Sequence, residues 1–222
     1  RSLLLKKGNH PHFLAMTATP IPRTLSITYH GDMDLSIIDE LPKIRVPIIT
    51  KIVDPTRLPN VYDFIKSEIN LGRQCMIIYP LVEESEKSDL AAAESAYLKL
   101  SKTIFSEFNV GLIHGQMKKD QKENVMKEFS ENIINIMVAT TVIEVGIDIP
   151  NATVMLVEHA ERFGLTQLHQ LRGRVGRGSF KSYCILTRRK INHSSLKRLK
   201  IMENTIDGFL IADEDLKMRG PG

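Results

Sequence analysis

Several things are missing from this 222-residue chain, and each absence narrows what it can do. No apolar run approaches the ~20 residues that a bilayer-spanning helix needs. The first residues, Arg1-Ser2-Leu3-Leu4-Leu5-Lys6-Lys7, lack the apolar core of a secretory signal, so no membrane association and a cytoplasmic location are expected. No Gly-x-x-x-x-Gly-Lys-Ser/Thr loop occurs, so the chain carries no cradle of its own for the phosphates of a nucleoside triphosphate. Cysteine is scarce. Cys75 and Cys184 each sit inside an apolar, strand-like run. They read as small buried hydrophobes in a reducing compartment, with neither a disulfide nor a metal site expected. The chain also lacks an initial methionine and stops at Arg219-Gly220-Pro221-Gly222, which reads as a piece of a longer protein.

What is present is an ordinary globular composition, 42% hydrophobic and 25% charged, enough for one α/β domain with pieces of others. The net charge of +4 and pI near 9.0 are mild evidence for a polyanionic partner. The basic residues concentrate late, at Arg172, Arg174, Arg177, Lys181, Arg188, Arg189, Lys190, Lys197, Arg198 and Lys200, whereas acidic residues cluster elsewhere, as in Asp213-Glu214-Asp215. A basic sector of this kind suits phosphate-backbone binding.

Short apolar runs recur at residues 12–16, 46–52, 75–79, 110–113, 133–138, 154–158 and 183–187. Most lack clear alternation, as expected of strands buried on both faces of a parallel sheet. Helical spacing appears at residues 58–71, with Gly72 as the stop, at 90–108, where Tyr97, Leu98, Ile104, Phe105 and Phe108 would share an apolar face, and at 120–129, with Asp120 and Glu123 as a possible capping box. Alternating strands and helices predict a doubly wound α/β sheet, in which ligands bind beyond the carboxyl ends of the strands.

Three segments carry candidate chemistry. Gln170-Leu171-Arg172-Gly173-Arg174-Val175-Gly176-Arg177-Gly178 spaces arginines with glycines. Glycine permits a tight bend close to a ligand, and arginine offers a fixed fork of donors for phosphate; a solvated basic loop is the plain alternative. Thr17-Ala18-Thr19-Pro20 follows an apolar strand and reads either as a hydroxyl relay or as a proline-stiffened turn. In Thr140-Thr141-Val142-Ile143-Glu144-Val145-Gly146-Ile147-Asp148, the threonines can donate to phosphate and Asp148 can accept from a ribose, or the segment is a capped turn. His114-Gly115 is a weaker signal. Ile37-Ile38-Asp39-Glu40 looks like a magnesium-holding strand end, yet Pro42 follows and no phosphate loop accompanies it, so it reads as an interdomain linker.

In order and spacing, Thr-Ala-Thr-Pro, Thr-x-x-x-x-Gly-x-Asp and Gln-x-x-Gly-Arg-x-Gly-Arg resemble the later motifs of superfamily 2 helicases. The longer phrases at 16–25, 31–42, 160–178 and 212–222 are similar to those of the RecG family of ATP-dependent branched-DNA helicases. The transcription-repair coupling factor shares the first of them. The resemblance implies a RecA-like second motor domain at 46–195, the end of a first motor domain and linker at 1–45, and the start of a truncated translocation region at 196–222. Gln170, Arg174 and Arg177 would act at the γ-phosphate, Gly146 and Asp148 would face the nucleotide, Thr17 to Pro20 would couple nucleotide state to DNA, and Thr140, Thr141, Arg172, Arg188 and Arg189 would contact DNA. ATP and Mg2+ would be held mainly by an upstream first motor domain, with none bound tightly here. Branched or double-stranded DNA, that motor domain and a DNA-junction wedge domain would be the partners.

Overall fold

The computed structural model describes residues 46–81, 86–140, 149–189 and 192–219, together with Leu14, Met16, Ser36 and Ile38. Six strands form one sheet: β1 (Ile49–Val53), β2 (Gln74–Tyr79), β3 (Val110–Ile113), β4 (Ile136–Thr140), β5 (Ala152–Val157) and β6 (Tyr183–Thr187). Their order is β1-β6-β5-β2-β4-β3, and every pairing is parallel, as the uninterrupted apolar runs predict. Every residue of β4 and β5 is buried. Of the strand expected at 12–16, only Leu14 and Met16 are among the described residues, and both are exposed.

Two strands start later than their apolar runs. Pro47 has no N–H to give a ladder, and pairing begins when Ile49 N donates to Ser182 O at 2.9 Å. Ahead of β4, Ile133 and Ile134 form a turn after Asn132, which holds φ 60°. Their carbonyls accept from the side-chain amides of Asn109 and Gln74, at 2.9 and 2.7 Å. Ile134 Cδ1 then lies 2.6 Å from where a Cβ on Gly111 would be, so a side chain at that point of β3 would displace it.

Helices cover both faces, because successive strand residues point to opposite sides. On one face Cys75, Ile77, Val138 and Leu156 pack with Leu58, Val61, Ile65 and Ile69 of α1 (Leu58–Asn70) and with Leu100 and Phe105. On the other, Met76, Ile78, Met137 and Met155 pack against α3 (Lys119–Ser130), α4 (Leu165–Arg172), α5 (His193–Asn204) and α6 (Gly208–Arg219). Gly72, at φ +80°, ends α1 as expected: Gly72 N donates to Ile69 O and Arg73 N to Glu68 O, the paired bonds of a left-handed helix stop.

Three details differ from expectation. The helix α2 (Glu86–Lys99) gives way to a π turn, Leu100–Ile104, closed by Phe105 N donating to Leu100 O. One extra residue per turn rotates the face, so Leu98 is exposed while Phe105 is fully buried. Asp120 and Glu123 do not form the box that starts α3; Gln121 Oε1 accepts from Lys118 N instead. And α4, α5 and α6 have no counterpart in the periodicities. Leu199 and Met202 of α5 and Ile211 of α6 belong to the same buried core as the sheet, on the far side of the boundary at 195 that the resemblance implies.

Candidate nucleotide and DNA interface

A parallel sheet has two chemically distinct edges, and the candidate residues divide between them. At the amino edge, α4 returns from the far side of β5 and ends at Arg172, where the Arg/Gly loop begins. Arg174 N donates to Leu171 O, and Val175 is fully buried, which pins the loop at its middle. Gly176 holds φ +73°, and a Cβ there would lie 2.8 Å from Ile48 Cγ1. A Cβ on Gly178 would lie 2.7 Å from Pro150 O. Both glycines are therefore required, one by backbone conformation and one by contact. Arg177 is exposed with its Nε on Gly173 O at 3.3 Å, Arg174 is half-buried and Gln170 is exposed. The loop brings these three residues to one edge, against the ends of β1, β5 and β6.

That edge is the opposite of the one where the sheet fold led ligands to be expected. Arg188 and Arg189 follow β6 at the carboxyl edge. Strands of five or six residues separate the two edges by roughly 15–20 Å, so the two arginine groups cannot grip the same phosphate.

Arg172 is a correction. It is 3% exposed, and its guanidinium donates to Met202 O at 2.8 Å and Thr205 O at 2.7 Å and lies 3.1 Å from His169 Nδ1. It is a buried strut, out of reach of DNA, because an arginine at the end of an amphipathic helix follows the helix face into the core. The basic sector is dispersed in the same way: Lys197 pairs with Glu214 at 3.9 Å and Arg198 donates to Glu161 O at 2.9 Å.

Thr140 ends β4 at the carboxyl edge but is fully buried, and its Oγ1 has no hydrogen-bond partner among the described residues. Thr141, Gly146, Asp148 and the segment from Thr17 to Pro20 lie outside the described residues. The chain leaves the carboxyl edge at Thr140 and re-enters at Ile149 on the amino edge, beside Gly178.

One feature of the carboxyl edge had no counterpart in the sequence reading. Where the crossovers from β2 and β5 diverge, an open cleft of about 700 Å³ is lined by Tyr62, Tyr79, Asp89, Glu158, Arg162 and Arg189. Glu158 is 1% exposed; it accepts from Thr187 Oγ1 at 2.8 Å and lies 3.9 Å from Arg189. Burial, with Glu158 nearby, pushes the Tyr62 hydroxyl up to about 12 and Tyr79 further still. Arg162 grips Asp89 through two bonds of 2.8 Å. A lone carboxylate closing an apolar strand run was the available signal.

Residues 57–179 match the family of the helicase conserved C-terminal domain. The chain is 54% identical to the ATP-dependent DNA helicase RecG of Synechocystis, over all of this chain and 27% of that protein. It is 50% identical to RecG of Streptococcus pneumoniae, over all of this chain and 33% of that protein. It therefore spans about a third or less of these relatives. A solved structure of RecG bound to a three-way DNA junction superimposes with a TM-score of 0.79 at 45% identity, over 92% of this chain and 27% of that one. The second domain of the Mss116p DEAD-box helicase, bound to an RNA duplex, matches at TM-score 0.54 and 16% identity over 78% of this chain and 70% of that one, a likeness of fold alone. The six-stranded parallel sheet is that of a RecA-like helicase motor domain, and the chain belongs to the helicase conserved C-terminal domain family, within it to the RecG group.

Proposed function

We propose that this chain is the second motor domain of an ATP-dependent DNA helicase that remodels branched DNA, and that it supplies the arginine fingers to a nucleotide held elsewhere. The observation that carries this reading is the placement of Arg174 and Arg177 on a glycine-pinned loop at the amino edge, an edge apart from Arg188 and Arg189. ATP and Mg2+ would bind mainly on a first motor domain. Phosphoryl transfer needs charge stabilisation at the γ-phosphate, and an arginine finger contributes on the order of 10³–10⁵ in rate. Delivering it from a second domain makes hydrolysis conditional on closure of the two domains. Arg188 and Arg189 at the carboxyl edge, with the Thr140-Thr141 pair of the motif, would hold the DNA backbone, and sequence-blind phosphate contacts suit a motor that moves over any sequence. Closure then shifts the DNA relative to the first domain.

Two measurements on the 222-residue chain test the division of labour. Its purified form is expected to show no ATPase activity above a contaminant control, since it lacks the phosphate loop. Steady hydrolysis would overturn the assignment. Its DNA affinity is expected to be weak and to fall linearly with the logarithm of salt concentration as counterions are released. A salt-independent affinity would remove the phosphate contacts from this reading.

A further inference from the structure

The guanidinium of Arg172 is buried. Among the described residues no carboxylate pairs with it, and its partners are two backbone carbonyls, the His169 ring and, at 3.5 Å, Thr50 Oγ1. Burial pulls its pKa down, yet an arginine stays charged at neutral pH. A methionine or leucine would fill the same volume without the desolvation cost of an unpaired charge. What the charge secures is geometric. Met202 O and Thr205 O belong to the last turn and C-cap of α5, where carbonyls lack helical partners and the helix dipole is negative. Arg172 caps α5 from outside, while its own backbone is the last residue of α4, directly before Gly173.

Two further bonds hold α4 and its approach to the terminal helices: Thr166 Oγ1 donates to Asp215 Oδ2 of α6 at 2.9 Å, and Arg198 of α5 donates to Glu161 O. The loop that presents Arg174 and Arg177 thus hangs from a helix braced at both ends by α5 and α6.

We infer that Arg172 is a positioning residue for the fingers: its fork fixes the last turn of α4 against the carboxyl end of α5, and through that turn sets where Arg174 and Arg177 stand. The inference rests on the reading of those two residues as fingers. A lysine cannot reproduce the arrangement, because one compact ammonium lacks the fork that spans the α5 carbonyls and His169.

The test uses the full-length protein with saturating DNA and compares R172M, R172K, R177A and the double variant R172M/R177A. R172M is expected to lower DNA-stimulated kcat on the order of 10–100-fold, the scale set by a displacement of about 1 Å in a catalytic group. KM for ATP, DNA affinity and its salt slope should stay within about twofold, with R172K recovering only part of the loss. The double variant should be no slower than R177A, since a residue that acts through the fingers has nothing left to position. A loss of folded protein would instead add to the R177A effect, and active-site titration separates the two. If R177A lowers kcat while R172M leaves it unchanged, or multiplies fully with R177A, the positioning role is wrong and the finger reading stands. If R177A leaves kcat unchanged, the finger reading falls and takes this one with it.

Discussion

Single residues in the Arg/Gly loop divide into those that shape it and those proposed to act from it. Gly176 belongs to the first group. Its φ of +73° and the nearness of Ile48 mean that Gly176→Ala meets both the left-handed penalty of roughly 1–2 kcal/mol and a collision with a half-buried neighbour. Urea unfolding of the variant is expected to show a midpoint lowered accordingly. An unchanged midpoint would mean the loop does not hold this shape in solution. The cysteines make a second residue-scale test. Burial pushes the Cys184 thiol up to about 12 and Cys75 higher, and both are buried and free. Neither should react with a thiol reagent at neutral pH until the protein unfolds, because the thiolate is the reactive form; rapid labelling of native protein would contradict their placement. The cysteine environment was legible from two apolar runs. The fate of Arg172 was not. Arg172, Arg174 and Arg177 look alike in sequence, and what separates them is that α4 ends between the first and second, a boundary set by packing of Leu165 and Leu168 that strand-and-helix periodicity did not reveal.

At the scale of elements, the six strands of the sheet were legible to within a few residues because burial on both faces leaves an unbroken apolar signal. Helix α2 was less so. Its π turn shifts the buried face by a residue, and a fixed 3.6-residue spacing therefore placed Leu98 inside when it lies outside. The terminal helices are the larger surprise. The resemblance implies a domain boundary at 195, yet Leu199, Met202 and Ile211 are 0–1% exposed, and Glu203 of α5 accepts from Ile52 N on the open side of edge strand β1 at 3.3 Å. A chain ended after Asn192 would uncover this part of the core and leave that edge bare, and it is expected to aggregate or lose its cooperative unfolding transition. Leu199→Ala alone should cost about 2–5 kcal/mol, the range for a buried leucine truncation, read by chemical denaturation. Retention of the full transition by the shortened chain would show that α5 and α6 are an appendage to the motor domain.

For the whole molecule, the proposed function rests on a division that no local pattern shows: an amino edge bearing Gln170, Arg174 and Arg177, and a carboxyl edge bearing Arg188, Arg189 and the Glu158 cleft. Family motifs supplied the loop, the fold and the group membership. They did not supply the edges, because residues 172 and 188 are close in sequence and only the course of β6 carries the chain across the sheet between them. The direct test is DNA-stimulated kcat of the full-length protein at saturating DNA, measured side by side for Arg177→Ala and Arg189→Ala. Each variant removes one positive charge from an exposed arginine. With fingers on the amino edge, Arg177→Ala should lose on the order of 10³ or more in kcat with ATP binding nearly intact, and lysine at that position should recover little of it. Arg189→Ala should keep most of kcat and lose DNA affinity in a salt-dependent way. Equal, modest losses in the two variants, with kcat preserved at saturating DNA, would make the Arg/Gly loop a second DNA patch and contradict the assignment of the two edges.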